Sequence, residues 1–388
     1  MEFISNQDTL AKHLNALSRV VNNKPGLPIL ANILVEADKG KLNVVATDLE
    51  LGLRSRIGAD VTKSGKTTVP AKEFAEFVNT VNAKKLSVQT DGTKLRVSTT
   101  DEHGSHTEIN TIKPDEYPTL PTIQPDKKPL FILTKDQVET IHTRVSFATA
   151  TDDVKPVMTG VLIELEKDSA TFVGADGLRL SRQIIKLVSP ANFDEDEKTS
   201  STKKILVSAR AFNELASIVN EFEAEDSQNI VEVYLLENAN QVIFKYNEVE
   251  LSARMIDGMY PDYKAVIPTG YQTRATFERK DFQDSLKIVN IIARNVFGHK
   301  IILTENKEEG LISLSATRSE VGNNESSFPA KIEGDDMKMA FSAKFLGDFL
   351  SHVDGSEIVF DSIAPEQAGV FRIKGDKDFL HLIMPMRF

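Results

Sequence analysis

The 388-residue chain has no cysteine, which excludes disulfides, thiolate chemistry and zinc or iron–sulfur sites built on Cys ligands. It also lacks any run of the roughly 18 apolar residues that a membrane-spanning helix needs. Its start, Met1-Glu-Phe-Ile-Ser-Asn-Gln-Asp8, carries neither the basic nor the apolar part of a secretory signal. A cytoplasmic protein with no membrane association is the expectation. Positive charge is scarce: 46 Lys and Arg stand against 57 Asp and Glu, a formal net charge of −11. Taken alone, that sign argues against gripping nucleic acid through its phosphates. The seven histidines offer no triad spacing, and no Ser or Thr sits in a recognisable nucleophile turn.

What is present is a soluble globular composition, 40% hydrophobic and 27% charged, at a length that exceeds one core and predicts two or three domains. The text repeats. Thr68-Val-Pro-Ala-Lys-Glu-Phe74 returns as Leu206-Val-Ser-Ala-Arg-Ala-Phe212 and as Ala340-Phe-Ser-Ala-Lys-Phe345, each a short strand turning into an amphipathic helix. Each third opens on a strand, a polar cap and a helix with apolar residues three and four apart, at Ile4-Ser-Asn-Gln-Asp8, Ile132-Leu-Thr-Lys-Asp136 and Phe277-Glu-Arg-Lys-Asp281. The third copy departs at its cap, where Glu278 stands.

A strand pair of alternating polarity follows in each third: Lys41-Leu-Asn-Val-Val-Ala-Thr-Asp48, Ala170-Thr-Phe-Val-Gly-Ala-Asp176 and, more weakly, Gly310-Leu-Ile-Ser-Leu314. Late strands turn at Asp91-Gly92 and Glu237-Asn238. The period is far longer than that of stacking repeats, so each copy is a domain with two helices and about eight strands. Proline-rich linkers at 114–129 and 261–269 set the domains at 1–126, 127–268 and 269–388. The acidic stretch from Asn192 to Lys204 reads as a solvated loop.

Enzyme motifs do not hold up. Gly65-Lys66-Thr67 ends like a nucleotide-binding loop, but Asp60 stands where that motif needs glycine and strand text follows, so it reads as a turn. His103 and His106 lack a third ligand and read as a solvated hairpin tip. Asp48 and Asp176 look like a carboxylate pair, yet they hold the same place in two copies, which favours accepting backbone N–H groups at a turn. No catalysis, cofactor or metal is expected. A hydrolase or metal enzyme on duplicated β-rich domains, and a three-domain scaffold that binds peptides without closing on DNA, are the competing readings.

Six motifs in order carry a family resemblance: Leu27-Pro-Ile-Leu30, Ala46-Thr-Asp48, Thr68-Val-Pro-Ala71, Ala175-Asp-Gly-Leu-Arg-Leu180, Tyr260-Pro-Asp-Tyr263 and Met384-Pro-Met-Arg-Phe388. On a threefold repeat they resemble the bacterial DNA polymerase III beta subunit, the beta sliding clamp. That resemblance implies an α+β fold of three tandem clamp domains. Two helices of each line an inner face and two curved antiparallel sheets form the outside. Two chains close head to tail into a six-domain ring that encircles duplex DNA without reading its sequence and confers processivity by serving as a mobile tether for polymerases, the clamp loader and repair factors through a peptide-binding pocket.

The implied partners are the DNA polymerase III alpha subunit and other polymerases, the clamp loader, and mismatch-repair and other clamp-motif proteins. The peptide pocket that receives them falls on Met158, Gly177, Leu178, Arg179, Leu180, Pro261, Val266, Met384, Pro385, Met386, Arg387 and Phe388. The implied dimer contact joins Thr107 and Ile109 to Ile291 and Ile292. Helical stretches taken as 6–24, 70–85, 134–147, 208–221, 278–294 and 342–353 sum to about +3 and leave about −14 elsewhere, a sorting that suits an inner face toward DNA. The inner-face candidates are Lys12, Arg19, Lys24, Lys72, Lys84, Lys135, Arg144, Arg210, Lys287 and Lys344, with Lys24 and Lys72 matching the family's DNA-contact positions best.

Overall fold

The computed structural model describes residues 1–21, 26–100, 104–152, 154–193, 202–222 and 229–388. The first third supplies β1 (Glu2–Asn6), α1 (Gln7–Val20), β2 (Asn32–Asp38), β3 (Lys41–Thr47), β4 (Leu51–Gly58), β5 (Asp60–Lys63), β6 (Gly65–Pro70), α2 (Ala71–Thr80), β7 (Lys85–Thr90), β8 (Lys94–Thr99) and β9 (His106–Asn110). The second supplies β10 (Phe131–Thr134), α3 (Lys135–Arg144), β11 (Gly160–Leu165), β12 (Ser169–Ala175), β13 (Arg179–Lys186), β14 (Lys203–Ser208), α4 (Ala209–Glu221), β15 (Ile230–Leu236), β16 (Gln241–Tyr246) and β17 (Val249–Arg254). The third supplies β18 (Thr273–Glu278), α5 (Arg279–Ala293), β19 (Lys300–Asn306), β20 (Leu311–Arg318), β21 (Gly322–Pro329), β22 (Lys331–Glu333), β23 (Met337–Ser342), α6 (Ala343–His352), β24 (Glu357–Ser362), β25 (Gly369–Ile373) and β26 (Phe379–Ile383).

The three copies are thus observed as an α+β unit used three times, and their local chemistry repeats with variations. Asn6 caps α1 by accepting from the backbone N–H of Thr9 at 3.0 Å. Thr134 and Gln137 cap α3 reciprocally, each side chain accepting from the other residue's N–H. Glu278 stands at the N-cap of α5 and makes no side-chain cap bond. Asp91 turns the β7–β8 hairpin by accepting from Thr93 and Lys94, with Gly92 at a φ of 101°. Gly65-Lys66-Thr67 lies in β6, paired with β2, so it is strand and not turn. The acidic residues 194–201 fall outside the described residues, and Lys203 and Lys204 already belong to β14.

The contacts group the chain into two compact units, Met1–Val138 with Leu187–Lys198 and Arg210–Met255, and Glu139–Lys186 with Thr199–Ala209 and Ile256–Phe388. The first unit holds a five-stranded sheet in the order β5-β1-β7-β8-β9 and an eight-stranded sheet in the order β10-β15-β16-β17-β4-β3-β2-β6. Here α1 packs on α2 and buries Leu10, Leu14 and Leu17. The second unit holds a nine-stranded sheet, β14-β11-β12-β13-β26-β25-β24-β18-β22, and a four-stranded sheet, β21-β20-β19-β23. Its core is aromatic, with Phe360 and Phe371 stacked at 4.5 Å and Phe277, Phe282 and Phe328 in mutual ring contact.

The units cut across the sequence repeat because the sheets do. Val249 of β17 pairs with Ser55 of β4, and Arg179 of β13 pairs with Ile383 of β26, each pairing joining the end strand of one copy to that of the next. The first proline-rich linker is docked rather than loose. Tyr117 and Leu120 are buried, and the Tyr117 hydroxyl lies 3.0 Å from the carbonyl oxygen of Asn32 and 3.1 Å from that of Val45.

Candidate functional site

The pocket begins at the turn between β12 and β13. Asp176 Oδ1 accepts from the N–H groups of Leu178 and Arg179, at 2.8 and 2.9 Å, which closes the turn and leaves Gly177 at a φ of 93°. Asp48 does the same for Glu50 and Leu51. The two aspartates therefore hold turns in different compact units, as their matching places in the repeat predict. Gly177 has space as well as conformation: a Cβ there would meet only Met158 Sδ, at 3.9 Å.

Arg179 then runs from the turn within the second unit, donating to Asp176 at 3.0 Å and to Asp348 at 2.6 Å, with its guanidinium over the rings of Phe147 and Phe345. Its charge is neutralised at both ends, so it contributes a buried apolar stem to the pocket wall.

A second wall comes from the linker after β17. The Tyr263 hydroxyl donates to Glu164 Oε2 at 2.8 Å, and Lys264 and Lys204 pair with the same carboxylate at 2.8 and 3.2 Å. Burial alone would raise the Glu164 pKa, but the bonds from Lys264, Tyr263 and Lys204 hold it below the ordinary carboxylate value. Burial pushes the hydroxyls of Tyr260 and Tyr263 up.

The third wall is the chain end. The Met384 N–H donates to the Leu178 carbonyl at 2.8 Å and the Met386 N–H to the Ala340 carbonyl at 2.7 Å, so the tail is docked by alternate backbone bonds.

These walls enclose a cavity of about 120 Å3. Seven of the expected residues line it: Met158, Gly177, Arg179, Leu180, Pro261, Val266 and Met384. Leu178, Pro385, Met386, Arg387 and Phe388 do not. Leu178 stands beside the cavity, 56% exposed, and acts through its carbonyl. Met386 packs over Gly298, whose φ of 68° marks the loop after α5. Ala175, Tyr260, Asp262, Tyr263 and Leu382 also line the cavity. Four of them sit inside the motifs Ala175-Asp-Gly-Leu-Arg-Leu180 and Tyr260-Pro-Asp-Tyr263, which was the signal available for them, and Leu382 is the register partner of Leu180. Among the described residues Asp262 makes no ion pair, so the rim keeps one uncompensated negative charge.

Models of the DNA polymerase III beta subunit match the chain three times, the N-terminal domain at residues 1–121, the central domain at 132–262 and the C-terminal domain at 264–387. The chain belongs to the DNA polymerase III beta subunit family. A beta sliding clamp of Synechocystis is 30% identical over 399 residues, covering 100% of this chain and 99% of its own length. One of Synechococcus elongatus is 26% identical over 391 residues with the same coverage. The crystal structure of the Bacillus subtilis DNA polymerase sliding clamp superimposes with a TM-score of 0.89 at 23% identity, over 100% of this chain and 99% of that one. That of a Pseudomonas aeruginosa sliding clamp bound to griselimycin gives 0.88 at 22% identity, over 100% of both chains.

The basic candidates of this beta-subunit chain divide into two groups. Lys12 and Lys72 are exposed on α1 and α2, with Lys12 Nζ 5.0 Å from the centre of the Phe222 ring. The arginines are engaged by carboxylates: Arg19 by Glu214 and Glu221, Arg210 by Asp48, and Arg144 by Asp354 and Asp376. Lys287 is paired with Asp284. Lys24 lies outside the described residues.

The charge sum also changes. The observed helices are shorter than the stretches taken from sequence and hold ten basic and ten acidic residues, so they are neutral. The positive excess belonged to flanking residues such as Lys24, Lys84, Lys85 and Arg294. A neutral set of helices leaves the whole net charge of −11 on the rest of the chain, a smaller contrast than expected and without a net positive inner face. Among the described residues no cluster of His, Asp and Glu forms a metal site, and no helix is long and apolar enough to cross a membrane.

Proposed function

We propose that the chain closes with a second copy into a ring around duplex DNA and tethers replication and repair proteins there through the pocket, without catalysis or cofactor. The observation that carries this reading is the order in which the copies join. In the first copy β4 ends a meander and pairs with β17, the last strand of the second copy. In the second copy β13 holds the same place and pairs with β26, the last strand of the third. The third copy has β21 in that place and the first has β9 as its last strand, and each is an end strand of its sheet. Pairing β21 with β9 of another chain repeats the same junction a third time and gives a head-to-tail, self-closing dimer.

The side chains at these edges suit an interface. Thr107 and Ile109 are half-buried on β9, Ile288 and Ile291 are 47% and 56% exposed on α5, and Asn324 of β21 donates to the Ile288 carbonyl at 3.3 Å. Ile292 is half-buried against the core of the second unit and supports the helix from beneath.

Lys12, Lys24 and Lys72 are the proposed phosphate contacts. A thin positive lining gives weak, salt-sensitive and sequence-blind contact, which lets a topologically held ring slide. The apolar pocket, with the flexible side chains of Met158 and Met384, suits short peptides with a leucine or aromatic anchor. Such peptides belong to the proposed partners, namely the DNA polymerase III alpha subunit, other polymerases, the clamp loader and mismatch-repair proteins. The working compartment is the cytoplasm, and the functional domains are 1–126, 127–268 and 269–388.

The test is retention on nicked circular DNA after loading by a clamp loader and ATP. The protein should co-elute with the circle as a dimer of 43.0 kDa chains and be lost when the DNA is linearised. Equal loss from both DNAs, with a monomer in solution, would favour the open scaffold.

A further inference from the structure

The junction of the first two copies is built like the pocket junction, and it is filled. The β3–β4 turn pairs Thr47 with Gly52 as the β12–β13 turn pairs Ala175 with Leu180. Across the joined strands Gly52 faces Ser252, where Leu180 faces Leu382 on the pocket floor. Leu30 sits in the 3-10 turn Pro28–Ala31 as Met158 sits in Pro156–Thr159. Tyr117 precedes Leu120 by three residues as Tyr263 precedes Val266.

The difference lies in those last two residues. Val266 is 49% exposed at the pocket, whereas Leu120 is 9% exposed, and its Cδ atoms lie 2.5 and 2.8 Å, and Ser252 Oγ 2.6 Å, from where a Cβ on Gly52 would be. The Leu120 side chain therefore occupies the volume that Leu180 fills with its own side chain. Arg54 fixes this state. Paired with Glu250 at 2.8 Å, it donates to the carbonyls of Leu120 and Pro121 at 3.2 and 3.3 Å. Arg182, which holds the same place on β13, leaves its buried Nε without a partner among the described residues.

We infer that the first junction is a second peptide site closed in cis by its own linker. Leu120 takes the place of a partner's apolar anchor, and displacing it opens a site for a short peptide with a leucine or aromatic anchor. This rests on the reading of the second junction as a peptide pocket. The turn, the buried tyrosine, the apolar 3-10 turn and the joined strands are all present at both places. The glycine floor with Ser252 opposite, the inserted leucine and the Arg54 bonds that hold its linker separate the closed site from the open one.

The experiment is a binding titration of a fluorescein-labelled octapeptide ending in Leu-Phe against the full-length protein, Leu120→Ala, and the double variant Gly52→Leu with Leu120→Val. The double variant transplants the Leu180 and Val266 pair and keeps the buried volume, which guards against a folding failure of Leu120→Ala. One equivalent per chain is expected for the parent and two for the variants. One equivalent in variants of native melting temperature overturns the inference and leaves the pocket standing. None in the parent with one in the variants sinks the pocket reading and keeps the closed site. None in any of the three removes both.

Discussion

The hydroxyl of Ser362 donates a 3.0 Å hydrogen bond to Oε2 of Glu305, and neither side chain is reached by solvent. Oε1 of the same carboxyl has no partner among the described residues. Burial, with the Asp361 charge adding to it, raises the Glu305 pKa to about 8 from an ordinary 4.5, and the Ser362 bond opposes the shift only in part.

Because folding favours the protonated acid, Glu305 costs no stability below the unfolded value of 4.5. Its cost grows as the pH rises toward the folded value of about 8 and then levels off. Glu305→Gln should therefore stabilise the chain by about 1 to 3 kcal/mol at pH 7 and have little effect near pH 4.5. Urea unfolding of both proteins at pH 5, 7 and 9 checks this. A difference that does not change with pH would show that Glu305 does not titrate in this range.

Glu164 is the opposite case, a carboxylate held below its ordinary pKa by Lys264, Tyr263 and Lys204 against the effect of burial. Its contribution is present above the unfolded value and is lost as the pH falls through the folded one. Since Tyr263 and Lys264 belong to the pocket wall, Glu164→Gln should weaken peptide binding by roughly tenfold, the equivalent of about 1.4 kcal/mol, and lower the melting temperature at neutral pH. Unaltered affinity would show that the wall is held by packing alone.

The repeat, the helix starts and the pocket motifs were legible because each is local. A turn aspartate, a cap or an apolar period is set by residues within a few positions of one another. The fate of the cations was not, because Arg19 finds Glu214 and Arg144 finds Asp376 only after folding brings distant segments together. Leu120 and Val266 likewise hold matching places in two similar linkers. What separates them is Gly52, a residue whose side-chain volume is missing from the opposite wall.

The same comparison exposes a strained turn. Gly177 adopts its φ of 93° without a Cβ, but the matching residue in the first copy is Leu49, at a φ of 79° and 51% exposed. Left-handed backbone costs a leucine about 1 to 2 kcal/mol, and little packing offsets it at that exposure. Leu49→Gly should raise stability by about 0.5 to 1 kcal/mol after glycine's greater freedom in the unfolded chain is counted. Gly177→Leu should lower it by about 1 kcal/mol. Thermal melts of the two variants test the pair, and a loss of stability in Leu49→Gly would mean that its side chain packs better than its exposure suggests.

Lys72 and Arg144 were both expected to face DNA, and their surroundings give them different roles. Among the described residues the Lys72 ammonium has no partner, and it is exposed on α2. Arg144 donates to Asp354 at 2.7 Å, Asp376 at 2.8 Å and Gln183 at 3.1 Å, lies over the Phe379 ring, and is 15% exposed. A phosphate would have to displace two carboxylates to reach it. Lys72→Ala should therefore reduce the salt dependence of DNA binding by about one phosphate contact and leave the melting temperature unchanged. Arg144→Ala should cost about 2 kcal/mol of stability, since it leaves the half-buried Asp376 carboxylate without its partner and uncovers the Phe379 ring, and leave the salt slope alone. Binding isotherms across a salt series, run beside thermal melts, separate the two. A reduced slope for Arg144→Ala at native stability would return that arginine to the DNA-facing set and imply that its ion pairs open when DNA enters.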